Sequence, residues 1–472
     1  MTVSRRAFLQ SAVAATVGFG GFRSLVAATT SGGQSPGDLV AQGFGPLITD
    51  AGRIIDLPRG FSYSVISRAG DRMDDGLFVP GQPDGMGAFA GPDGRTILIR
   101  NHEILASNRK RGAFGEKNEL LSKIDAEAVY DFGRGKQPCL GGTTTLLYDT
   151  KIGRLEKQYL SLAGTQYNCA GGVTPWGTWI TCEEDTQPAD DEFERDHGYA
   201  FEVPARADGK LIRPVPIKPM GRFRREAVAV DPRTMIVYQS EDREDGVLYR
   251  YIPNKPGELL AGGRQQALCV RDRRSLDARN WLAYKDRPAS PRIEPGTKLP
   301  AAWIDVDDLD SPKDDLRKRA FAAGAACFAR MEGMWWGDGC FYFVATTGGR
   351  NERGHIWRYT PGPNEGTAAE ADSPGVLELF IEPNDKSLLD CGDNVTVSPW
   401  GDLIVCEDGE DKQYLVGVTP EGRLYKFARN AADLSEFAGA TFSPDGSTMF
   451  VNLQGAGMTL AITGPWGDAR RA

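Results

Sequence analysis

Histidine is scarce in this chain. Its 472 residues include three, His102, His197 and His355. A histidine-rich zinc centre or a Ser-His-Asp triad is therefore poorly supported. The eight cysteines contain no CxxC pair, which excludes a zinc ribbon and a thioredoxin-type motif. No Walker A loop is present. A basic surplus is lacking too: 55 Lys and Arg stand against 64 Asp and Glu, a formal net charge of −9. A nucleic-acid partner needs a basic face, so none is expected. No segment reaches about 18 consecutive apolar residues, so no stable membrane insertion is expected.

Glycine, by contrast, is abundant at 57 residues, which fits many turns and little helix. One phrase also repeats. Residues 174–185 read TPWGTWITCEED and residues 398–409 read SPWGDLIVCEDG. Each copy has a Pro-Trp-Gly turn, a short apolar run, a cysteine and then acid. Looser copies are 91–103 (GPDGRTILIRNHE), 231–243 (DPRTMIVYQSEDR), 336–347 (WGDGCFYFVATT) and 443–454 (SPDGSTMFVNLQ). Six units of turn, buried strand and polar end mark a repeat architecture. The expected fold is all-β: a six-bladed β-propeller with loop insertions, one of them helical. A pair of β-sandwiches is the bland alternative. The largest insertion is 254–330, and within it 311–327 reads as helix. Residues 39–472 are expected to form this single domain, closed by 441–462 beside an N-terminal strand.

The N-terminus reads as an address. Ser4-Arg5-Arg6-Ala7-Phe8-Leu9 has the twin-arginine pattern, an apolar stretch follows, and Val26-Ala27-Ala28 offers small residues for cleavage. Residues 1–28 are therefore expected to be a twin-arginine signal peptide and 29–38 a flexible linker. The export machinery is then a partner, and the destination is periplasmic or secreted. Cys182 and Cys406 hold the same repeat position and read as small buried hydrophobes.

What remains for chemistry is carboxylate at strand ends: Glu103, Glu183, Glu184, Glu226, Glu241, Asp242, Glu332, Asp393, Glu407 and Asp408. Carboxylates gathered in one site repel, and cations remove that cost. Oxygen-rich sites suit hard ions, Ca2+ first, with manganese or iron as further options. Pairing with Arg222, Arg225, Arg243 and Arg330 as salt bridges is an equally open reading. Cys169 sits before two glycines and is either a soft ligand or a buried thiol in a tight turn.

Four segments carry a resemblance. Residues 168–184 (NCAGGVTPWGTWITCEE), 225–232 (REAVAVDP), 330–336 (RMEGMWW) and 393–408 (DNVTVSPWGDLIVCED) resemble the PhoX family of alkaline phosphatases, in order, over roughly 84 to 466. The resemblance implies an exported propeller with phosphomonoesterase activity on small phosphate esters. It also implies calcium and iron (Ca2+ and Fe3+) in the channel. By position, Cys169 looks like the iron-ligating cysteine, and Glu226 and Glu332 look like metal-ligating glutamates. Arg330 looks like the arginine that holds phosphate, so Arg330 and Glu332 form the catalytic pair. Glu103, Glu183, Asp393 and Glu407 join the metal set from repeat position alone. The chain departs from the family pattern at Arg225, where His is expected, and at Met331, where Pro is expected. It is closer to the family's shorter branch, and the extra cation at Arg225 is expected to alter substrate range or the phosphate pocket. Two rival functions are a calcium-dependent lactonase, with no role for Cys169, and a non-catalytic binding propeller.

Overall fold

A computed structural model describes residues 39–467. The signal-peptide and linker expectations, 1–28 and 29–38, lie outside the described residues. The architecture is all-β with one α-helix, Leu316–Ala322, among the described residues. No helix there is long and apolar enough to cross a membrane.

The repeated phrase folds the same way each time. In both full copies the Thr174 or Ser398 hydroxyl accepts a backbone N–H four residues on, from Thr178 or Asp402, at 2.9 Å. The glycine of each turn, Gly177 or Gly401, has φ of +83° or +91°, a conformation that glycine adopts without strain. The apolar run then enters a sheet as Thr178–Glu183 or Leu403–Glu407, with Cys182 and Cys406 buried as expected. All eight cysteines are free.

The sheets do not form six blades. Four are separate and blade-like. One holds Pro83–Ala90, Thr96–His102, Gly141–Asp149 and Arg154–Thr165, and another holds Asn168–Val173, Thr178–Glu183 and Ala200–Pro204. A six-stranded sheet runs from Leu47–Ile48 to Gly392–Val397. The fourth joins Phe437–Phe442, Thr448–Leu453 and Met458–Thr463 to Ser62–Arg68, the expected closure. One nine-stranded sheet has Arg225–Val230 and Met331–Gly337 as its two edges, which pack side by side so that it nearly closes into a barrel, while Gly246–Val247 and Cys327–Phe328 pair separately. The six-bladed expectation is thus corrected. Its cause is the 254–330 insertion. That segment supplies Lys298–Asp305, which pairs with Gly263–Val270 on one side and Val376–Ile381 on the other. An edge strand left unpaired invites pairing, and this insertion fuses two such edges.

Helix formation within the insertion is shorter than 311–327 suggests. The Ser311 hydroxyl accepts from the N–H groups of Asp315 and Leu316 at 3.0 Å each, which opens the helix. Gly324, at φ +114°, ends it, and Cys327–Phe328 continues as a strand against Gly246–Val247. The closing sheet buries Phe437, Met449, Val451, Leu460 and Ile462 completely. Each such side chain contributes about 1.5–3 kcal/mol relative to exposure.

Six strands surround the axis: Pro83–Ala90, Asn168–Val173, Arg225–Val230, Met331–Gly337, Gly392–Val397 and Phe437–Phe442, each packed on the next and the last on the first. Every one carries a β-bulge near its start. In the first five the register shift lies between the first and fourth residues, and in the sixth between Ala438 and Thr441. Bulges re-aim side chains, and here they do so around one ring. Gly85 and Gly333 follow two of the inward-facing residues. A Cβ on Gly85 would fall 2.5 Å from the Ala170 Cα, and one on Gly333 would fall 2.7 Å from the Asn394 Cα, so glycine is what lets these neighbours approach.

Candidate metal and phosphate site

Three tiers of side chains line the axis, and strand register generates all three. The residue just before each axial strand forms the first tier: Gln82, Tyr167, Arg224, Arg330, Cys391 and Glu436. The second residue of each strand forms the next: Asp84, Cys169, Glu226, Glu332, Asp393 and Ala438. The first residue of each axial strand pairs with the end of the neighbouring strand, and the residue after that partner forms the third tier: Glu103, Glu184, Asp242, Thr346, Asp408 and Gln454. All but Cys391, Ala438, Asp242 and Thr346 line one cavity of about 190 Å³. Side chains two apart on a strand share a face, which is why the residues between the first two tiers point elsewhere. Four first-tier residues, Gln82, Tyr167, Arg330 and Cys391, have φ between 43° and 53°. That is strained backbone for residues other than glycine, and such strain clusters at functional sites.

Arg330 and Arg224 dominate one side. The Arg330 Nε and Nη2 donate to the two Asp242 carboxylate oxygens at 2.9 and 3.0 Å, and Nη2 also donates to Glu332 Oε1 at 2.8 Å. The Arg224 Nε donates to Glu184 Oε1 at 2.7 Å, and its Nη2 lies 3.6 Å from Asp242 Oδ2. Burial pushes the Asp242 carboxyl up, but a hydrogen bond with Glu184 and the two guanidinium groups hold it below its usual value. The opposite side is acid without guanidinium. Gln454 Nε2 donates to Asp84 Oδ2 at 2.8 Å and to Glu103 Oε2 at 2.6 Å. Burial and mutual repulsion drive Asp84, Glu103 and Glu436 well above ordinary carboxylate values. Glu226 and Glu332 rise for the same reasons, and Asp393 rises to about 6, chiefly through burial.

Four groups of ligand atoms in this cavity lie within 4.8 Å of one another: Cys169 with Glu184 and Glu226; Glu226 with Glu332 and Asp393; Asp84 with Glu103 and Glu436; and Asp393 with Asp408 and Glu436. The Cys169 thiol lies 3.6 Å from the carbonyl oxygens of both Arg225 and Glu226, and burial raises it well above its usual value. A donor set of many carboxylates and one thiol fits cations, since ionising these groups together is otherwise costly.

The structure therefore brings Cys169, Glu226, Glu332, Glu103, Asp393 and Arg330 into one cavity. It keeps Glu183 and Glu407 out. Glu183 is fully buried and accepts from His197 Nδ1 at 2.6 Å and from the Gly198 and Tyr199 N–H groups. Glu407 accepts from Lys426 Nζ at 2.6 Å and from the N–H groups of Asp390 and Tyr414. In each Glu-acid doublet the first acid fastens neighbouring backbone and the second, Glu184 or Asp408, enters the cavity. Alternation along a strand places them on opposite faces, so repeat position read one residue early selects the wrong acid. Arg225 is corrected as well. Its guanidinium is buried away from the cavity, donating to the carbonyls of Gly198, Met220 and Gly221 and stacking 4.0 Å over Phe223. Arg224 is the residue that reaches the site. Asp84, Tyr167, Arg224 and Glu436 were missed by sequence reasoning. Only the bulge register, which strand pairing reveals, places Asp84 at the position equivalent to Cys169 on the adjacent strand.

Among curated proteins none matches the chain. The structure of Pseudomonas fluorescens PhoX in complex with vanadate, a transition state analogue, is 17% identical, with a TM-score of 0.62 over 87% of this chain and 96% of that one. A gluconolactonase from Xanthomonas campestris is 11% identical, with a TM-score of 0.39 over 89% of this chain and 98% of that one. The family model for alkaline phosphatase PhoX matches residues 42–457, nearly the whole described span, and the chain belongs to that family.

Proposed function

We propose that this protein is a metal-dependent phosphomonoesterase acting on small phosphate esters. The observation that carries the reading is the convergence of Arg330, Glu332, Cys169 and Glu226 on one cavity crowded with carboxylates. Family membership supports it. Cys169, Glu184 and Glu226 would hold iron, since a thiolate favours a softer ion. The all-oxygen groups around Glu436 and Asp393 would hold Ca2+. Bound cations supply Lewis-acid neutralisation of phosphoryl oxygens.

The chain's own residues do the rest. Arg330 is planar, partly open to the cavity, and fixed by two bonds to Asp242. Its Nη1 lies outside those bonds and offers a charge-assisted contact to a phosphate oxygen. Asp242 sets the orientation of Arg330 before substrate arrives, so less ordering is left for binding. Glu332 accepts from the same guanidinium and lies in one ligand group with Glu226 and Asp393, so it would register phosphate against a bound cation. His102, His197 and His355 do not line the cavity, so proton traffic falls to carboxylates and water. The twin-arginine pattern at Arg5-Arg6 supports export through that machinery to the periplasm.

The test is hydrolysis of a chromogenic phosphomonoester by protein loaded with calcium and iron, with a phosphodiester and a lactone run in parallel. The expected result is turnover of the monoester alone. Turnover of the lactone without the monoester would sink the phosphatase reading.

A further inference from the structure

A second mixed-donor cluster lies outside the cavity. Asp131, Cys139 and His197 are fully buried. Asp131 and Cys139 belong to the long loop between Thr96–His102 and Gly141–Asp149, and His197 stands just ahead of Ala200–Pro204. Two separate loops therefore meet through these side chains.

The spacings are those of ligands around one ion. His197 Nε2 lies 3.6 Å from Cys139 Sγ and 3.2 Å from Asp131 Oδ2. Tetrahedral zinc, with bonds of about 2.3 Å to sulfur and about 2.0 Å to nitrogen or oxygen, separates sulfur from nitrogen by about 3.5 Å and nitrogen from oxygen by about 3.3 Å. As hydrogen bonds the same two contacts sit at the long end of the useful range. Gln166 Oε1 lies 3.6 Å from the same Sγ and accepts only a long 3.4 Å contact from the Ala106 N–H, which makes it the candidate fourth donor. The far side of the imidazole is arranged as metal-bound histidines are: Nδ1 lies 2.6 Å from Glu183 Oε1, a carboxylate that fixes ring and tautomer. Asp131 is oriented as well, by the N–H groups of Gly133, Glu194 and Arg195. The donor set of one sulfur, one nitrogen and oxygen suits a borderline-soft divalent ion.

We propose that Asp131, Cys139 and His197, with Gln166, form a structural zinc site distinct from the axial cavity. Binding releases the Cys139 thiol proton and the Nε2 proton of His197 to solvent, and no redox change is involved. The ion ties the 103–140 loop to the 185–198 loop. It also anchors Glu183, whose neighbour Glu184 faces the cavity. This proposal does not depend on the phosphatase reading.

The experiment is a zinc count on desalted, zinc-supplied protein, joined to an anomalous scattering map at the zinc edge from crystals of the wild type. The expected result is one zinc that survives Cys169→Ser and is lost in Cys139→Ala, with an anomalous peak between Cys139 and His197. Equal zinc in folded wild type and folded Cys139→Ala overturns the site. Should Cys139→Ala fail to fold, the wild-type map decides alone: a peak confined to the axial cavity, or no peak, overturns it. His197 is then an imidazolium clasped by Asp131 and Glu183.

Discussion

Asp242 and Glu103 occupy the same register position on different strands around one axis, yet they titrate in opposite directions. Asp242 lies between Arg224 and Arg330 and is held below its usual value. Glu103 faces Asp84 and Asp393 and is driven well above its own. The difference comes from one tier. Where the residue ahead of the axial strand is arginine, a guanidinium pairs with Asp242 and presents cationic edges for an anion. Where it is Gln82, Tyr167 or Glu436, negative charge is in surplus and only cations can balance it. One ring of six axial strands thus divides into an arginine-bearing side and an acid side by changes at one position ahead of each strand.

Four experiments can break or sharpen that division. Glu332 touches both sides, so Glu332→Gln should have the largest effect. Turnover of a phosphomonoester should fall by about 10³-fold or more, the scale for groups that act as a unit. Iron and calcium content should fall with it, and a variant keeping a tenth of wild-type turnover would contradict the placement. Arg330→Met should reduce kcat/KM by about 10²- to 10³-fold, the range for losing one preorganised electrostatic contact. Its metal content should match wild type, and loss of metal would merge the two sides into one.

The third experiment concerns pH. Stripped of ions, the protein carries carboxylates whose folded pKa values exceed the ordinary value of about 4. The folded state then binds protons more tightly than the unfolded state, so stability is greatest below that value. It is lost as pH rises through the folded values, about 6 for Asp393 and about 7 for Asp408. The melting temperature of chelator-treated protein should therefore fall between mild acid and neutrality, while ion-loaded protein should not show that fall. Parallel melting curves would argue against ions on the acid side. The smallest catalytic effect is expected from Arg225→His. Its guanidinium serves buried carbonyls, so kcat/KM should stay within about threefold while stability drops by about 1–3 kcal/mol for unsatisfied groups. A large rise in KM with unchanged melting would return Arg225 to the site.

The legible part of this molecule was the strand beside each axial strand. Its turn residues and apolar runs are strongly typed, as in 174–185 and 398–409, so the second strands emerge at once. The axial strands themselves share little: PDGMGAFA, NCAGGV, REAVAV, MEGMWWG, GDNVTV and FAGATF have in common mainly small residues beside a bulge. Asp84 was invisible for that reason. Glu436 was invisible because it precedes its strand, where the other repeats place Gln, Tyr, Arg or Cys. Composition does not separate Glu183 from Glu184 or Glu407 from Asp408, because it cannot fix a strand's end to one residue, and one residue reverses the face. The fusion of two sheets escaped notice because Lys298–Asp305 belongs to no repeat.

The closing sheet sets a timetable. Ser62–Arg68 finds its partner in Met458–Thr463, and the paired hydroxyls of Ser62 and Thr463 are 401 positions apart. Glu436 and Gln454, which complete the cavity, emerge from the ribosome in that same late stretch. A chain still being synthesised has most of its acids in place and no enclosure around them. Ions captured at that stage would sit in a site open on one flank. The finished cluster thus waits for the last sheet, the latch that turns a loose acidic groove into a defined vessel.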